Sequence, residues 1–247
     1  MEAAPAPRFS LIVPAHNEES YLSRLLDTVE AASARCRGGA VEVVVADDGS
    51  TDATAAIAEQ RGCGVVRLTA RRIAAARNAG AAIAAGEILC FADADMRVHP
   101  ETFNAVDDML GSGRIVGGAT GVTLERWSLG LAVTYALMVP WVWLLRMDTG
   151  VVFCRADDFR AVGGFDERRS FGEDVQFLLD LRHLGRRRGQ RLGRARRAKA
   201  IASTRKFDRH GDWHYFPMLF RLLWPMVRSP GTRSALVEDY WYRDPAR

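Results

Sequence analysis

The sequence predicts an α/β fold in which a mostly parallel sheet is flanked by helices. Short, almost continuously apolar segments alternate with longer segments of helical periodicity, and polar or acidic loops follow several of the apolar segments. Alternation at these lengths is typical of parallel strands whose connecting helices cover both faces of the sheet. The chain has 247 residues, of which 48% are hydrophobic, so it can bury a full core and we expect one domain.

Four strands and three helices are predicted in the first part of the chain. Runs of apolar and β-branched residues place the strands, and apolar residues at intervals of three and four place the helices. The predicted strands are 9–13, 41–46, 65–68 and 88–92. The predicted helices run from Ser20 to near Gly38, from Ser50 or Thr51 to about Gln60, and from Ile73 to Ala85. We expect Pro14 to end the first strand and Ser50 or Thr51 to cap the second helix.

The second part of the chain alternates less regularly. The predicted elements are a helix at 100–110, strands at 115–118 and 151–154, a turn at 163–166 and a helix at 175–184 opened by Glu173 and Asp174. Residues 127–145 carry no charge. We expect a buried or interfacial helix there, with a membrane span of about 20 residues as the alternative. The apolar helix predicted from Trp213 to Val227 either packs in the core or inserts into a bilayer surface.

The charge distribution points to anionic partners but not to nucleic acid. The net charge is +4, and the segment from Arg182 to Lys199 contains nine Lys or Arg residues and no acid. This run is either a solvated basic edge or a patch for membrane phosphates. Proteins that bind single-stranded nucleic acid interleave aromatic residues with their positive charges. The charges of this run have no aromatic residues between them.

The cysteines and the N-terminus predict a cytoplasmic protein. The four cysteines are far apart in the sequence, which favours reduced, buried thiols over a disulfide framework or a metal site. Residues 1–8 lack the apolar segment of a secretory signal. We therefore expect a cytoplasmic location, with peripheral contact at the inner face of a membrane as an extension of it.

Two acids follow the fourth predicted strand. In an extended chain, Asp93 and Asp95 would point to one side and Ala94 to the other. Mg²⁺ or Mn²⁺ suits such a pair, since these ions commonly take one or two protein carboxylates and complete their shell with phosphate and water. The alternative is a solvated pair of acids in a turn. Ligands of parallel sheets bind outside the carboxyl ends of the strands, where the loops after Val13, Ala46 and Phe91 are expected.

Several motifs together resemble those of a known family. They are residues 12–18 (IVPAHNE), 44–52 (VVADDGSTD), 76–80 (ARNAG) and 91–95 (FADAD), with 163–166 (GGFD) and 172–174 (GED) as a weaker fifth match. In content and order they resemble the family 2 glycosyltransferases, which are inverting, nucleotide-sugar-dependent enzymes of the GT-A fold. The matches span roughly residues 9 to 180.

The resemblance implies a donor site and a metal site. The implied donor-binding residues are Pro14, Ala15, Glu18, Asp48, Arg72, Arg77 and Asp93. Asp48 would accept a hydrogen bond from the base, and Arg77, with Arg72, would neutralise the diphosphate or anchor the nucleotide loop. Asp93 would reach the ribose or the metal, and Asp95 would hold Mg²⁺ or Mn²⁺ between the phosphates. A turn and helix cap is the plain alternative for Asp48, and a surface charge is the alternative for Arg77.

The resemblance also implies the catalytic pair. Asp174 would be the base that takes the acceptor proton, and Glu173 would bind acceptor or sugar hydroxyls. An acidic first helical turn, favoured by the helix dipole, is the structural alternative. Arg205, His210 and His214 follow the matched region. For the two histidines, an additional metal or phosphate ligand is the alternative to an ordinary surface residue.

The expected activity is inverting transfer of a sugar from a UDP- or GDP-linked donor to an acceptor hydroxyl or phosphate. The acceptor is unknown, and a lipid-linked one is among the candidates. The alternatives are a sugar-nucleotide nucleotidyltransferase and a catalytically inactive GT-A-like binding module. Within the single domain, we expect a nucleotide-binding half at 9–95, an acceptor half at 96–207, and a C-terminal apolar helix and tail at 208–247.

Overall fold

The computed structural model describes residues 6–136, 150–169 and 172–213. The strands are β1 (Phe9–Ala15), β2 (Val41–Asp48), β3 (Gly64–Leu68), β4 (Ile88–Phe91), β5 (Ile115–Ala119), β6 (Val122–Leu124), β7 (Val152–Arg155), β8 (Arg191–Arg194) and β9 (Ala200–Ala202). The helices are α1 (Glu19–Ser33), α2 (Thr54–Gln60), α3 (Ile73–Ile83), α4 (Thr102–Gly111), α5 (129–136), α6 (Ala156–Val162), α7 (Glu173–Arg187) and α8 (Arg205–His210).

A mostly parallel sheet forms the centre of the molecule, as predicted. Its strand order is β3-β2-β1-β4-β7-β5-β8. Every neighbouring pair is parallel except those that involve β7, which runs antiparallel to both β4 and β5. Strands β6 and β9 pair separately as a two-stranded parallel sheet.

Pro14 does not end the first strand. It pairs in register with Ala46 of β2, and β1 continues to Ala15. The last residue of β1 that pairs with β4 is Ile12, so at Pro14 the strand has a neighbour on one side only. Proline is tolerated where one side of a strand needs no hydrogen bonds.

Two helix boundaries also differ from the prediction. Helix α1 ends at Ser33, one turn or more before the glycines expected to stop it. Helix α2 begins at Thr54, with no side-chain cap from Ser50 or Thr51, because both residues bond to Asn17 instead. The carboxylate of Asp52 accepts a hydrogen bond from the Thr54 amide at 3.0 Å.

The core lies on both faces of the sheet. Leu11 and Val13 of β1 face one cluster with α1 and α4, whereas Ile12 faces a second cluster with α3, α6 and α7. The alternation follows from the two-residue period of a strand. In the second cluster the Phe91 ring, at the end of β4, lies 5.0 Å from the Phe165 ring. This contact packs the turn before α7 against the strand that carries the acid pair.

The long apolar stretches are described only in part. The uncharged segment enters α5, whose Tyr135 hydroxyl donates to the carbonyl of Val122 at 3.1 Å, while residues 137–149 lie outside the described part. Of the apolar helix predicted from Trp213, Trp213 alone is described. Among the described residues no helix combines the length and the apolar character that crossing a bilayer requires.

The cysteines and the basic run take ordinary positions. All four cysteines are free thiols, and Cys90 and Cys154 are buried. Burial raises the pKa of both buried thiols, so they stay protonated and unreactive. The basic run forms the end of α7, the edge strand β8 and the turn that leads to β9.

Candidate active site

The predicted acidic loops meet at one edge of the sheet. Strands β1, β2 and β4 are parallel neighbours, with Ala15 opposite Asp47 and Ile12 opposite Phe91. Their carboxyl ends therefore lie side by side, as the sequence predicted. Pro14 and Ala15, two of the implied donor-binding residues, form the end of β1 at this edge.

Hydrogen bonds tie the loops after β1 and β2 together. The Asn17 amide donates to Oγ of Ser50 at 2.9 Å, and the Thr51 amide donates to Oδ1 of Asn17 at 2.8 Å. Asn17 adopts a positive φ of 52°, a conformation that asparagine tolerates better than most residues. Nδ1 of His16 lies 2.9 Å from the carbonyl oxygen of Asp48. The two loops thus form one cross-linked wall of the site.

Asp48 anchors the loop that precedes α3. Its buried carboxylate accepts the backbone amides of Arg71 and Arg72, both at 2.8 Å. The Arg72 side chain is exposed and donates to the carbonyl of Glu167 at 2.8 Å. Asp48 is therefore a loop anchor, and its implied contact with a base remains a prediction.

Helix α3 lies unusually close to β1. A Cβ built on Gly80 would lie 2.5 Å from Cγ2 of Ile12, a distance that real side chains do not adopt. Only glycine fits at this position without a shift of the helix or the strand. This close packing fixes the position of α3 relative to the sheet. It therefore also fixes the position of Arg77, which lies one turn earlier on α3.

Arg77 connects two of the predicted site carboxylates. Nη1 donates to Oε1 of Glu173 and Nη2 donates to Oδ1 of Asp93, both at 3.0 Å. The guanidinium also lies 5.1 Å from the centre of the Phe165 ring. Burial works against its charge, but the fields of Asp93, Glu173 and Asp174 outweigh burial and raise the pKa of Arg77. Arg77 is thus buried within the site and holds Glu173 and Asp93, and its implied role toward the diphosphate or the nucleotide loop remains a prediction.

Glu173 and Asp174 differ in their surroundings. The Glu173 side chain is only 12% exposed, and burial raises its pKa although Arg77 acts in the opposite direction. Asp174 is partly buried and accepts the Val175 amide on Oδ1 at 2.8 Å. In the described part of the chain Asp174 makes no ion pair, whereas Glu173, Asp93 and Asp95 each have an arginine partner.

The turn before α7 is fixed to α3 by Asn78. Its Oδ1 accepts the Phe165 amide at 2.9 Å, and its Nδ2 donates to the Phe165 carbonyl at 2.9 Å. Nδ2 also donates to Oε1 of Glu167 at 2.8 Å. The ARNAG and GGFD motifs are therefore one structural unit, which carries Glu173 and Asp174 to the sheet edge.

Arg205 is a site residue to which the sequence assigned no role. Its guanidinium forms two parallel hydrogen bonds of 2.7 Å to the buried carboxylate of Glu18, and Nε lies 2.9 Å from Oδ2 of Asp95. It also stacks 4.8 Å from the centre of the Tyr21 ring. Burial opposes its charge, but the bond from Glu18 and the field of Asp95 raise the pKa of Arg205.

The acid pair lies in a turn and not in an extended strand. β4 ends at Phe91, and the Met96 amide donates to the carbonyl of Asp93 at 3.1 Å. The predicted extended geometry is wrong, because the apolar run that favours a strand stops before the acids. Asp93 faces Arg77 and Asp95 faces Arg205, so each carboxylate is matched by a cation.

A magnesium or manganese ion at the acid pair remains a prediction. Within 6–136, 150–169 and 172–213, no group of three or more His, Cys, Asp or Glu side chains could hold a metal. Two carboxylates suffice for Mg²⁺ or Mn²⁺ when phosphate oxygens and water complete the shell. His214 lies outside the described residues, as does the side chain of His210, so neither is placed relative to Asp93 and Asp95.

Comparison with known proteins identifies the family. The sequence model of glycosyl transferase family 2 matches residues 10–141. The chain belongs to this family. An undecaprenyl-phosphate 4-deoxy-4-formamido-L-arabinose transferase of Pseudomonas paraeruginosa is 36% identical over 126 residues, which cover 48% of this chain and 37% of the relative. A validoxylamine A glucosyltransferase of Streptomyces hygroscopicus subsp. limoneus is 26% identical over 219 residues, covering 69% of this chain and 47% of the relative. This family 2 chain thus spans less than half the length of either relative.

Solved structures of glycosyltransferases share the fold. S. aureus TarS 1-349 in complex with UDP superposes with a TM-score of 0.62 at 21% identity, covering 79% of this chain and 60% of TarS. The mannosyltransferase PcManGT from Pyrobaculum calidifontis, in complex with GDP-Man and Mn²⁺, also gives 0.62 at 21% identity, covering 81% of this chain and 59% of PcManGT. The family 2 chain therefore has the GT-A fold that its motifs predicted.

Proposed function

We propose that this family 2 chain is an inverting glycosyltransferase that moves a sugar from a UDP- or GDP-linked donor to an acceptor hydroxyl or phosphate. One observation supports this most directly. Five carboxylates from distant parts of the chain, Glu18, Asp93, Asp95, Glu173 and Asp174, are grouped around the guanidiniums of Arg77 and Arg205. Carboxylates and arginines in this arrangement suit a diphosphate donor and a proton-transfer step.

The donor half of the site is built from the loops after β1, β2 and β4. The ends of β1 and β2 offer backbone groups and Asp48 to the nucleoside, while the exposed guanidinium of Arg72 lies beside them. Arg77 and Arg205 hold positive charge next to Asp93 and Asp95. Mg²⁺ or Mn²⁺ held by Asp93 and Asp95 would supply charge stabilisation to the departing diphosphate. PcManGT, with the same fold, was solved with GDP-Man and Mn²⁺.

Asp174 is the residue best placed to accept the acceptor proton. Inversion requires that the acceptor oxygen attack the anomeric carbon from the face opposite the leaving diphosphate, while a carboxylate takes its proton. The other carboxylates around the arginines are already matched by a guanidinium, but Asp174 keeps Oδ2 without a described hydrogen bond. Glu173, held by Arg77, is positioned to bind an acceptor or sugar hydroxyl.

The proposal extends to the acceptor and to the cellular location of the reaction. One relative is named for undecaprenyl phosphate, which makes a lipid-linked acceptor the first candidate for this chain. A lipid acceptor and a cytoplasmic nucleotide-sugar donor meet at the inner face of a membrane. We therefore place the reaction there, with the protein in peripheral contact.

The test measures products released by the purified protein. UDP- and GDP-sugars are supplied with Mn²⁺ or Mg²⁺ and with polyprenyl phosphate or soluble acceptors, and nucleoside diphosphate and the anomeric configuration of the product are determined. An inverted product with nucleoside diphosphate release supports the proposal. Pyrophosphate formed from a nucleoside triphosphate and a sugar phosphate indicates the nucleotidyltransferase instead. Nucleotide binding without any turnover indicates the inactive binding module.

The base assignment has its own test. Asp174→Asn should bind the donor with unchanged affinity and lose about 100- to 10,000-fold in transfer rate, the usual contribution of a positioned base. Asp180→Asn is the matched control, because it makes the same change on the same helix, where Gln176 is the hydrogen-bond partner of the side chain among the described residues. Transfer at the normal rate by Asp174→Asn shows that another group takes the proton.

A further inference from the structure

A basic groove lies at the β8 edge of the sheet, outside the site described above. It has a volume of about 660 Å³ and runs between the end of α4, the start of β5 and β8. The residues that line it include Asp108, Met109, Arg114, Arg191, Arg194 and Arg196. The groove thus brings four guanidiniums together.

Most of this positive charge is not neutralised by carboxylates. Arg114, Arg191 and Arg196 are exposed and make no ion pair within the described residues. Among the described lining residues Asp108 is the only acid, and it lies 3.9 Å from Arg37 outside the groove. Unpaired guanidiniums on one edge attract anions from a distance.

A patch of exposed apolar residues, the aromatic patch, lies at the start of α5 and beside it. Trp127 is 54% exposed, Leu129 is 75% exposed and Trp213 is 50% exposed. The Trp127 ring lies 5.2 Å from the ring of Tyr135, which belongs to α5. A Cβ built on Gly130, between the exposed residues of α5, would lie 3.1 Å from the Trp213 ring.

The aromatic patch is linked to the candidate active site through Arg126. Arg126, which precedes Trp127, binds Asp208 at 2.7 Å and Asp212 at 2.6 Å. These two acids flank the end of α8, the helix that begins with Arg205. The exposed tryptophans are therefore connected by a short chain of contacts to the residue that holds Glu18.

The residue types of the basic groove and the aromatic patch indicate the kind of partner that they bind. Tryptophan is enriched at membrane–water interfaces, and each Lys or Arg near an anionic leaflet adds about fivefold in binding. We propose that the basic groove and the patch of Trp127, Leu129 and Trp213 dock the protein on an anionic lipid surface. The guanidiniums contact headgroup phosphates and the apolar side chains enter the interfacial layer. This inference names the membrane contact within the proposed function and does not depend on the transfer reaction.

Vesicle binding of the whole protein tests the inference. The protein is sedimented with phosphatidylcholine vesicles and with vesicles that also contain phosphatidylglycerol, at low and at high salt. We expect binding to the anionic vesicles only, loss of binding at high salt through screening, and a blue shift of tryptophan fluorescence on binding. Inorganic phosphate at equal ionic strength should not displace the protein; displacement by it would reveal a simple anion site. A protein that stays in the supernatant with anionic vesicles at low salt overturns the inference.

Charge reversals locate the surface. Arg191→Glu with Arg196→Glu should weaken binding to anionic vesicles by at least about 25-fold, since two favourable charges are lost and two unfavourable ones are added. The matched control, Arg61→Glu with Arg67→Glu, makes the same change in net charge near the β3 edge, at the opposite end of the strand order. Equal losses in both pairs would show that net charge and not this surface causes binding.

A third variant tests the aromatic patch. Trp127→Ser should reduce vesicle binding and the fluorescence shift, because Trp127 is more than half exposed and its removal opens no cavity in the core. An unchanged fluorescence shift would remove the patch from the proposal. Each variant is also assayed for nucleoside diphosphate release with a soluble acceptor. Normal release with lost vesicle binding separates a failure of docking from a failure of the transferase.

Discussion

Removal of the Arg77 guanidinium should destabilise the fold chiefly through Glu173. In Arg77→Met, two carboxylates each lose a hydrogen bond of 3.0 Å. The Glu173 side chain is 12% exposed and the Asp93 side chain is 45% exposed. Removing one partner of a buried ion pair costs about 3–5 kcal/mol, whereas a pair as exposed as the one with Asp93 contributes about 0–1 kcal/mol. Because Glu173 keeps some access to water, we expect a loss near the lower end, about 3 kcal/mol.

Urea unfolding with two double-mutant cycles measures each contribution. Combining Arg77→Met with Glu173→Gln should give a coupling energy of about 2 kcal/mol, because the neutral amide removes the isolated buried charge. Combining Arg77→Met with Asp93→Asn should give less than about 0.5 kcal/mol, since water solvates Asp93. Equal couplings in the two cycles, or a loss below about 1 kcal/mol for Arg77→Met alone, would refute the reasoning from burial.

Three further predictions follow from single contacts. Gly80→Ala places a Cβ 2.5 Å from Ile12 and should lower the unfolding free energy by about 1–3 kcal/mol in urea. Gly111→Ala, with open space around its Cβ, should be neutral or stabilising, and equal effects would contradict the packing argument. Burial raises the pKa of Glu173, so the folded state keeps this proton to a higher pH than the unfolded state does. Stability should therefore fall as pH rises from the ordinary glutamate range through the raised value, and Glu173→Gln should remove this slope in unfolding measured against pH. Arg205→Gln removes the cation 2.9 Å from Asp95 and should tighten binding of Mn²⁺ alone several-fold by electron paramagnetic resonance; unchanged affinity would show that Arg205 does not compete with the metal.

The donor half of the sheet follows from local sequence patterns. Strands β1 to β4 and the helices between them have apolar runs and helical periodicity that neighbouring residues alone dictate, and parallel pairing then places their loops at one edge. The reversal of β7 could not be predicted in this way. The apolar residues of β7 predict a buried strand in either direction. The direction is set by β4 and β5, its pairing partners, which are distant in sequence.

The candidate site was predicted as a set of acids with Arg72 and Arg77, but without the ion pairs that hold the acids. Asp93, Asp95, Glu173 and Asp174 stand in motifs, so the sequence identified them. Their pairing with arginines depends on tertiary packing, as between Arg205 and Glu18, which are 187 residues apart. The extended geometry at Asp93 was preferred over the alternative of a turn, because a strand pattern says where apolar residues stop but not how the chain continues.

The antiparallel direction of β7 places both ends of the connection between β5 and β7 at one edge of the sheet. β5 ends and β7 begins at the active-site edge, so the main chain leaves and re-enters the sheet at adjacent points. There the Thr120 amide donates to the Val151 carbonyl at 3.0 Å, and the Val151 amide donates to Oγ1 of Thr120 at 3.1 Å. A stretch attached in this way can change in length without a change in the register of the seven strands.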